Sequence, residues 1–260
     1  MLEEILKNKE KEVKELKNAE KNLSLKDNHT EIIQKRGFIK SIIKKIKEDE
    51  IAVIAEIKRH SPSKGYLEEN LDLKLIAQQY ESAGAACISV LTDKDYFKGS
   101  IKDLISVKKY TQLPILRKDF IIDEIQIIES DAHGADCILL IIAALKEKKF
   151  RDLYQMSKNL GLDVLVEVHD ENELNIALEN SCKLIGINNR DLRTFNVSIQ
   201  TSIDLCNLVK DKDITLVSES GIMNKKDIRT LKEFGIKTFL IGEKLIISNN
   251  REKELKELIK

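Results

Sequence analysis

The chain has 260 residues, with 44 Lys or Arg balanced by 44 Asp or Glu, so it carries no formal net charge at pH 7. That balance argues against general binding to nucleic acid or to an anionic membrane, which needs a basic excess, although it leaves room for a local anion site. Hydrophobic residues make up 42%, enough for a full core, and the length suits either two small domains or one α/β barrel.

Residues 1–50 show no strand pattern. Apolar residues recur near helical spacing (Leu2, Ile5, Val13, Leu16; then Ile32, Ile33, Phe38, Ile42, Ile43, Ile46) among runs of Lys and Glu. This predicts two or three helices with solvated charged faces. The start, MLEEILKNKEKEVKELK, is too charged for a signal peptide, and the longest apolar run, CILLIIAAL (137–145), is too short to span a bilayer. Cys87, Cys137, Cys182 and Cys206 are widely spaced, each within an apolar stretch, and read as buried thiols of a reducing compartment. A soluble, cytoplasmic protein is expected.

From residue 51 apolar, β-rich runs alternate with amphipathic stretches: IAVIAEIK (51–58), ACISVLT (86–92), PILRK (114–118), DCILLII (136–142), DVLVE (163–167), LIGIN (184–188), TLVSE (215–219) and TFLIG (238–242). Near-continuous apolar strands separated by helices predict a parallel sheet covered on its outer face. Eight such βα units close naturally into a (β/α)₈ TIM barrel of the α/β class, with residues 1–50 as an N-terminal helical extension and 51–260 as the barrel of a single domain. An open doubly wound sheet is the alternative. It would favour a GxGxxG after the first strand and a break in composition between halves, and neither is present.

Five of these runs end in charged or amide residues, although burying a charge is expensive unless it is paired or used. Side chains alternate along a strand, so Glu56 and Lys58 share a face with Ala52 and Ile54. The same parity groups Lys118 with Leu116, Glu167 with Leu165, Asn188 with Gly186, and Glu219 with Val217. If that face lines the barrel, both signs of charge gather at the C-terminal mouth, where barrel enzymes carry their active sites.

Each motif alone also has a plainer reading. IAEIKRHSPSKG (54–65) could be a strand-exit ion pair and a surface turn. In LRKDFIIDEIQI (116–127), Lys118 is either a solvated strand end or an acid whose pKa is lowered in a dry mouth, with Phe120 as an apolar lid. In IGINNRDL (185–192), amide and guanidinium suit anion or carbonyl recognition, but Asn-Asn-Arg-Asp is also good turn chemistry. SESGI (218–222) and LIGEKLI (240–246) place glycines just after strands 7 and 8, where barrels commonly bind phosphate through backbone N–H groups. The histidines, at 29, 60, 133 and 169, show no HxH or HExxH spacing, so no metal is expected; His169, two residues beyond Glu167, could share its face but reads better as a loop residue.

Taken in order, IAEIKRHSPSKG, LTDKDYFKGS, LRKDFIIDEIQI, LVEVHDENEL, IGINNRDL, SESGI and LIGEKLI resemble segments of the indole-3-glycerol phosphate synthase family, from about residue 50 to 245. The helical extension resembles that family too. The resemblance implies a (β/α)₈ enzyme of tryptophan biosynthesis. It would convert 1-(o-carboxyphenylamino)-1-deoxyribulose 5-phosphate to indole-3-glycerol phosphate, CO₂ and water, without a cofactor. A monomer is expected, although the sequence itself does not fix the oligomeric state.

The resemblance also implies roles. Lys118 matches the general acid of ring closure, and Lys58 a lysine that contacts the substrate carboxylate and assists dehydration. Glu56 and Glu167 match carboxylates acting as general base or as stabilisers of a cationic intermediate, and Asn188 and Glu219 match orienting groups. Ser61, Arg190, Ser220, Gly221, Gly242 and Glu243 fall at or beside phosphate-contacting positions. Phe97, Phe120, Leu139, Ile141 and Leu192 match the pocket for the anthranilate ring. A Glu243 carboxylate would repel phosphate, so only its backbone N–H is expected to serve, with the side chain turned away. Two other readings stay open here: another phosphosugar barrel enzyme such as phosphoribosylanthranilate isomerase, and a non-catalytic phosphosugar-binding barrel. The first would carry Cys and Asp where this chain has Glu56 and Asn188. The second would not need Glu56, Lys58, Lys118 and Glu167 together.

Overall fold

The computed structural model describes residues 1–22, 34–48, 50–191, 194–211 and 213–260. Of the residues singled out above, His29, Ile32, Ile33 and Leu192 lie outside the described residues. The eight predicted runs form eight strands: β1 (Ala52–Ile57), β2 (Cys87–Leu91), β3 (Ile115–Lys118), β4 (Cys137–Ile141), β5 (Asp163–Val168), β6 (Leu184–Asn188), β7 (Thr215–Glu219) and β8 (Thr238–Ile241). All pair in parallel with their sequence neighbours, and β8 returns to β1 to close the barrel. The open-sheet alternative is thereby excluded.

The helices α1 (Leu2–Asn22) and α2 (Phe38–Lys47) precede the barrel. Then come α3 (Leu73–Ala83), α4 (Ile101–Tyr110), α5 (Glu124–Ala132), α6 (Glu147–Asn159), α7 (Glu171–Glu179), α8 (Gln200–Cys206), α9 (Lys225–Glu233), α10 (Glu243–Ile246) and α11 (Arg251–Ile259). Several start at an Asp, Ser or Asn whose side chain accepts from the first-turn N–H groups: Asp72, Ser100, Asp123, Asp170, Asn224 and Asn250. These caps satisfy otherwise orphaned donors and let each loop turn sharply into its helix. The long first loop adds an unforeseen element, a small antiparallel ladder pairing His60–Ser61 with Gly65–Tyr66. Among the described residues no helix is long and apolar enough to cross a membrane.

Strand parity divides the core into two bodies. Val53, Ala55 and Ile57 of β1 pack outward with Val164, Val166 and Val168 of β5 against the helices. Ala52, Ile54, Leu116, Leu139, Leu165, Val217 and Leu240 face inward. Alternating side chains thus fill the interior in layers, which leaves Glu56, Lys118, Glu167 and Glu219 in the layer above them.

The two extension helices close opposite ends. From α2, Phe38 and Ile42 are fully buried against the bottom of the interior cluster. The backbone there is tied down: Arg36 N–H donates to Asp136 Oδ1 (2.7 Å), Ile39 N–H to Asp163 Oδ2 (2.9 Å), and Ser41 Oγ to the carbonyl of Ala86 (2.7 Å). At the other end, Met1 and, from α1, Leu2 and Ile5 reach the mouth. Lys9, only 2% exposed, lies 2.9 Å from both Asp93 and Asp119, which follow β2 and β3, and 2.6 Å from Glu12. Burial opposes its charge, but these carboxylates outweigh the penalty and raise its pKa.

Replacing Phe38 by Ala empties the bottom plug, where the strand ends leave little freedom to collapse. A loss of about 3–5 kcal/mol is expected from such a cavity, read as a lowered urea midpoint with an unchanged slope.

Candidate active site

The interior strand ends open into a cavity of about 600 Å³ at the C-terminal mouth. The sequence-predicted catalytic group Glu56, Lys58, Lys118, Glu167, Asn188 and Glu219 all line it. So do Ser61, Phe97, Phe120, Leu139, Ile141, Arg190, Ser220, Gly221, Gly242 and Glu243. Leu192 lies outside the described residues.

Lys118 is the hub. Its Nζ lies 2.8 Å from Glu167 Oε2 and 3.1 Å from Glu219 Oε2, so one ammonium from β3 is held between carboxylates from β5 and β7. Glu167 Oε1 also accepts from Asn188 Nδ2 at 3.0 Å. The Asn188 oxygen in turn accepts from Ser220 Oγ (2.9 Å) and the Arg190 N–H (3.1 Å), which fixes the amide orientation. On β1, Lys58 Nζ pairs with Glu56 Oε1 at 2.9 Å, and Ser89 Oγ approaches Glu56 Oε2 at 3.4 Å.

These contacts correct one expectation. Burial does disfavour the Lys118 ammonium, but Glu167, Glu219 and Glu56 outweigh it, so the pKa is raised rather than lowered. Lys118 is therefore protonated throughout the physiological range. The carboxylates diverge. Burial works against ionised Glu167, yet Lys118 and His169 hold it well below the usual carboxylate range. Glu219 is pushed up to about 7 by burial and by Glu167 and Glu56, which Lys118 only partly offsets. Its Oε1 is buried without a hydrogen-bond partner.

Two glycines make room for these acids. A Cβ at Gly186 would collide with Glu219 Oε1, and one at Gly242 would come within 2.5 Å of Glu56 Oε1. Gly242 thus houses a carboxylate as well as starting the loop after β8.

One end of the cavity is polar. Ser220 and Gly221 take consecutive left-handed conformations, φ 65° and 79°. Buried Asn189 holds that turn by donating to Ser218 Oγ (2.9 Å) and the Ser220 carbonyl (3.0 Å), while its own oxygen accepts from Ser202 of α8. Ser61 Oγ is buried without a partner there, a donor left for a ligand. Lys64 lines the same end with its Nζ 3.9 Å from Glu243 Oε1, so the Glu243 carboxylate has a cation to neutralise it. The opposite wall is apolar: Leu91, Leu139 and Ile141, with Phe97 and Phe120 tilted against each other at 6.1 Å between centroids.

Sequence reasoning missed three contributors. His169 sits one residue past β5, yet its Nε2 lies 3.3 Å from Glu167 Oε1, so it is more than a loop residue. Its parity with Glu167 was the available signal. Lys9 occupies the same helical stripe as Ile5 and Val13, and a lysine on a buried stripe announces a partner. Gly186 is legible only once Glu219 is placed across from it. Among the described residues no group of three or more His, Cys, Asp or Glu could hold a metal ion.

A closed parallel barrel whose mouth gathers proton donors and acceptors is a (β/α)₈ enzyme. Solved structures show the same fold at low identity: the chain matches 3-hexulose-6-phosphate synthase from Salmonella typhimurium with a TM-score of 0.63 and 9% identity, covering 80% of this chain and 96% of that one. Thiamine phosphate pyrophosphorylase from Pyrococcus furiosus matches with a TM-score of 0.59 and 14% identity, covering 82% and 95%. The sequence comparisons are more specific. The indole-3-glycerol phosphate synthase family model matches residues 2–258. The indole-3-glycerol phosphate synthase of Thermoanaerobacter pseudethanolicus is 47% identical over 94% of this chain and 91% of its own. That of Bordetella pertussis is 48% identical over 86% and 85%. The chain belongs to the indole-3-glycerol phosphate synthase family, the carboxy-lyases of tryptophan biosynthesis.

The raised pKa of Glu219 has a consequence for stability. Its protonated form stabilises the fold fully below the ordinary value of 4.5, and that contribution is lost as pH rises through about 7. Glu219→Gln removes this dependence. The urea stability of the variant relative to the native protein is expected to rise between pH 5 and pH 8; a constant difference would contradict the raised pKa.

Proposed function

We propose that this chain performs the family's reaction, closing, decarboxylating and dehydrating 1-(o-carboxyphenylamino)-1-deoxyribulose 5-phosphate to indole-3-glycerol phosphate, CO₂ and water. The observation that carries the reading is the Lys118 ammonium between Glu167 and Glu219, at 2.8 and 3.1 Å, with an apolar wall on one side and a polar pocket on the other.

The parts fit the substrate end by end. Ser61, Arg190, Ser220, Gly221, Gly242 and the backbone of Glu243 surround the phosphate, with Lys64 offsetting the Glu243 carboxylate. Phe97, Phe120, Leu139 and Ile141 enclose the anthranilate ring. Ring closure forms a bond between a ring carbon and the ketone carbon, which places negative charge on the carbonyl oxygen and positive charge on the ring and its nitrogen. Lys118 meets that oxygen already protonated, so it stabilises the developing charge and then supplies the proton. Lys58 holds the substrate carboxylate, whose loss as CO₂ returns electrons to the ring. Glu56 and Glu167 face the cationic intermediate, and one of them takes the proton released on dehydration. Asn188 and Glu219 orient the hydroxyls and Lys118. The free thiols of Cys87, Cys137, Cys182 and Cys206 suit a reducing cytoplasm.

Purified protein mixed with substrate at neutral pH is expected to develop indole fluorescence; its absence would refute the reading. Lys118→Ala is expected to lower kcat by about 10²–10⁴-fold, the usual contribution of a positioned acid, with KM within a few-fold. Loss of substrate binding instead would make Lys118 a binding group.

A further inference from the structure

Glu167 and Glu219 share one ammonium but are not equivalent. Glu167 Oε1 accepts a further hydrogen bond from Asn188 Nδ2 at 3.0 Å and has the His169 ring Nε2 as an ion-pair neighbour at 3.3 Å, a nitrogen with no hydrogen-bond partner of its own. Glu219 has Lys118 alone, and its Oε1 is an orphan in the core. His169 is itself braced: Glu173, in the first turn of α7, accepts both the His169 backbone N–H (2.9 Å) and ring Nδ1 (3.0 Å) on the same oxygen. An imidazole with one carboxylate hydrogen-bonded at Nδ1 and another 3.3 Å from Nε2 is favoured as the doubly protonated cation. Its side chain is 12% exposed and does not line the cavity, so it acts through Glu167 and not on a substrate.

The charge balance points the same way. Two lysines, Lys58 and Lys118, face four carboxylates, Glu56, Glu167, Glu173 and Glu219, an excess of negative charge that favours a proton on His169 and brings the cations to three. Neutrality in a buried cluster leaves one carboxylate holding a proton, and the one with fewest donors takes it.

We propose that His169 is a positioning residue: an imidazolium braced by Glu173, it fixes Glu167 as the ionised member of the pair on Lys118 and leaves Glu219 as the member that stores a proton. The proposal rests on the function above and deepens it, because it makes Glu167 the proton acceptor and Glu219 a proton reserve. Although burial disfavours its charge, Glu167 and Glu173 raise the His169 pKa to about 10, while Glu167 is held low and Glu219 is raised.

Two measurements test it. With four histidines in the chain, the His169 ring nitrogens can be followed by ¹⁵N NMR in the native protein. Two protonated nitrogens are expected at pH 8; a neutral ring there overturns the proposal. His169→Gln keeps a donor toward Glu167 but removes the charge. In the variant the Glu167 carboxyl, followed by ¹³C NMR, is expected to take up its proton at least about one pH unit higher than in the native protein, while KM stays within about threefold. An unmoved Glu167 titration overturns the proposal. If the native protein formed no product, the functional reading would fall, while the NMR titration would still decide the state of His169.

Discussion

A paired ammonium sets the terms for this barrel. Lys118 is half-buried at the top of β3, with its ammonium at the floor of the cavity, and it is tolerable there because carboxylates from β5 and β7 close on it. Those carboxylates cost desolvation of their own, so the neighbourhood is shaped to admit them. Gly186 gives up a side chain where Glu219 lies, and Gly242 does so for Glu56. Asn188 spends its amide on Glu167 and its carbonyl on Ser220, which links the acid–base cluster to the left-handed turn at the polar end. Chemistry and recognition therefore share one hydrogen-bond network, and a change at either end is felt at the other.

The raised pKa of Lys118 reshapes its role. A lysine with a lowered pKa would be a readily spent acid, found in either state near neutrality. Held between Glu167 and Glu219, Lys118 is a permanent charge, which in the proposed reaction would favour an oxyanion before any proton moves. Under that proposal, substrate that weakened one of its pairings would make its proton easier to give, coupling binding to acid strength. The asymmetry between Glu167 and Glu219 then matters more than their shared proximity to Lys118, since two equivalent carboxylates would divide one proton between them.

The barrel was legible because its signal is local. Eight apolar runs separated by amphipathic stretches read directly as βα units, and two-residue periodicity sent Glu56, Lys118, Glu167 and Glu219 inward before any contact was known. Where periodicity stops, so does certainty of direction: His169 lies just past the end of β5, where strand parity suggests a face shared with Glu167 but no longer enforces it. The direction of the Lys118 pKa depends on how many carboxylates the closed ring brings across the mouth, which strand spacing alone does not contain. Lys9 was hidden for a related reason, since its partners Asp93 and Asp119 lie far along the chain and meet it only after α1 docks. The small ladder between His60–Ser61 and Gly65–Tyr66 is too short to leave a periodic trace.

That docking brings the start of α1 to the working end of the barrel. Met1, Leu2 and Ile5 border the same cavity as Lys118, and Lys9 ties their helix to Asp93 and Asp119. The cavity wall is thus completed by a segment that is no part of the (β/α)₈ repeat. A substitution that loosened Lys9 would reshape the pocket without touching any residue of the barrel.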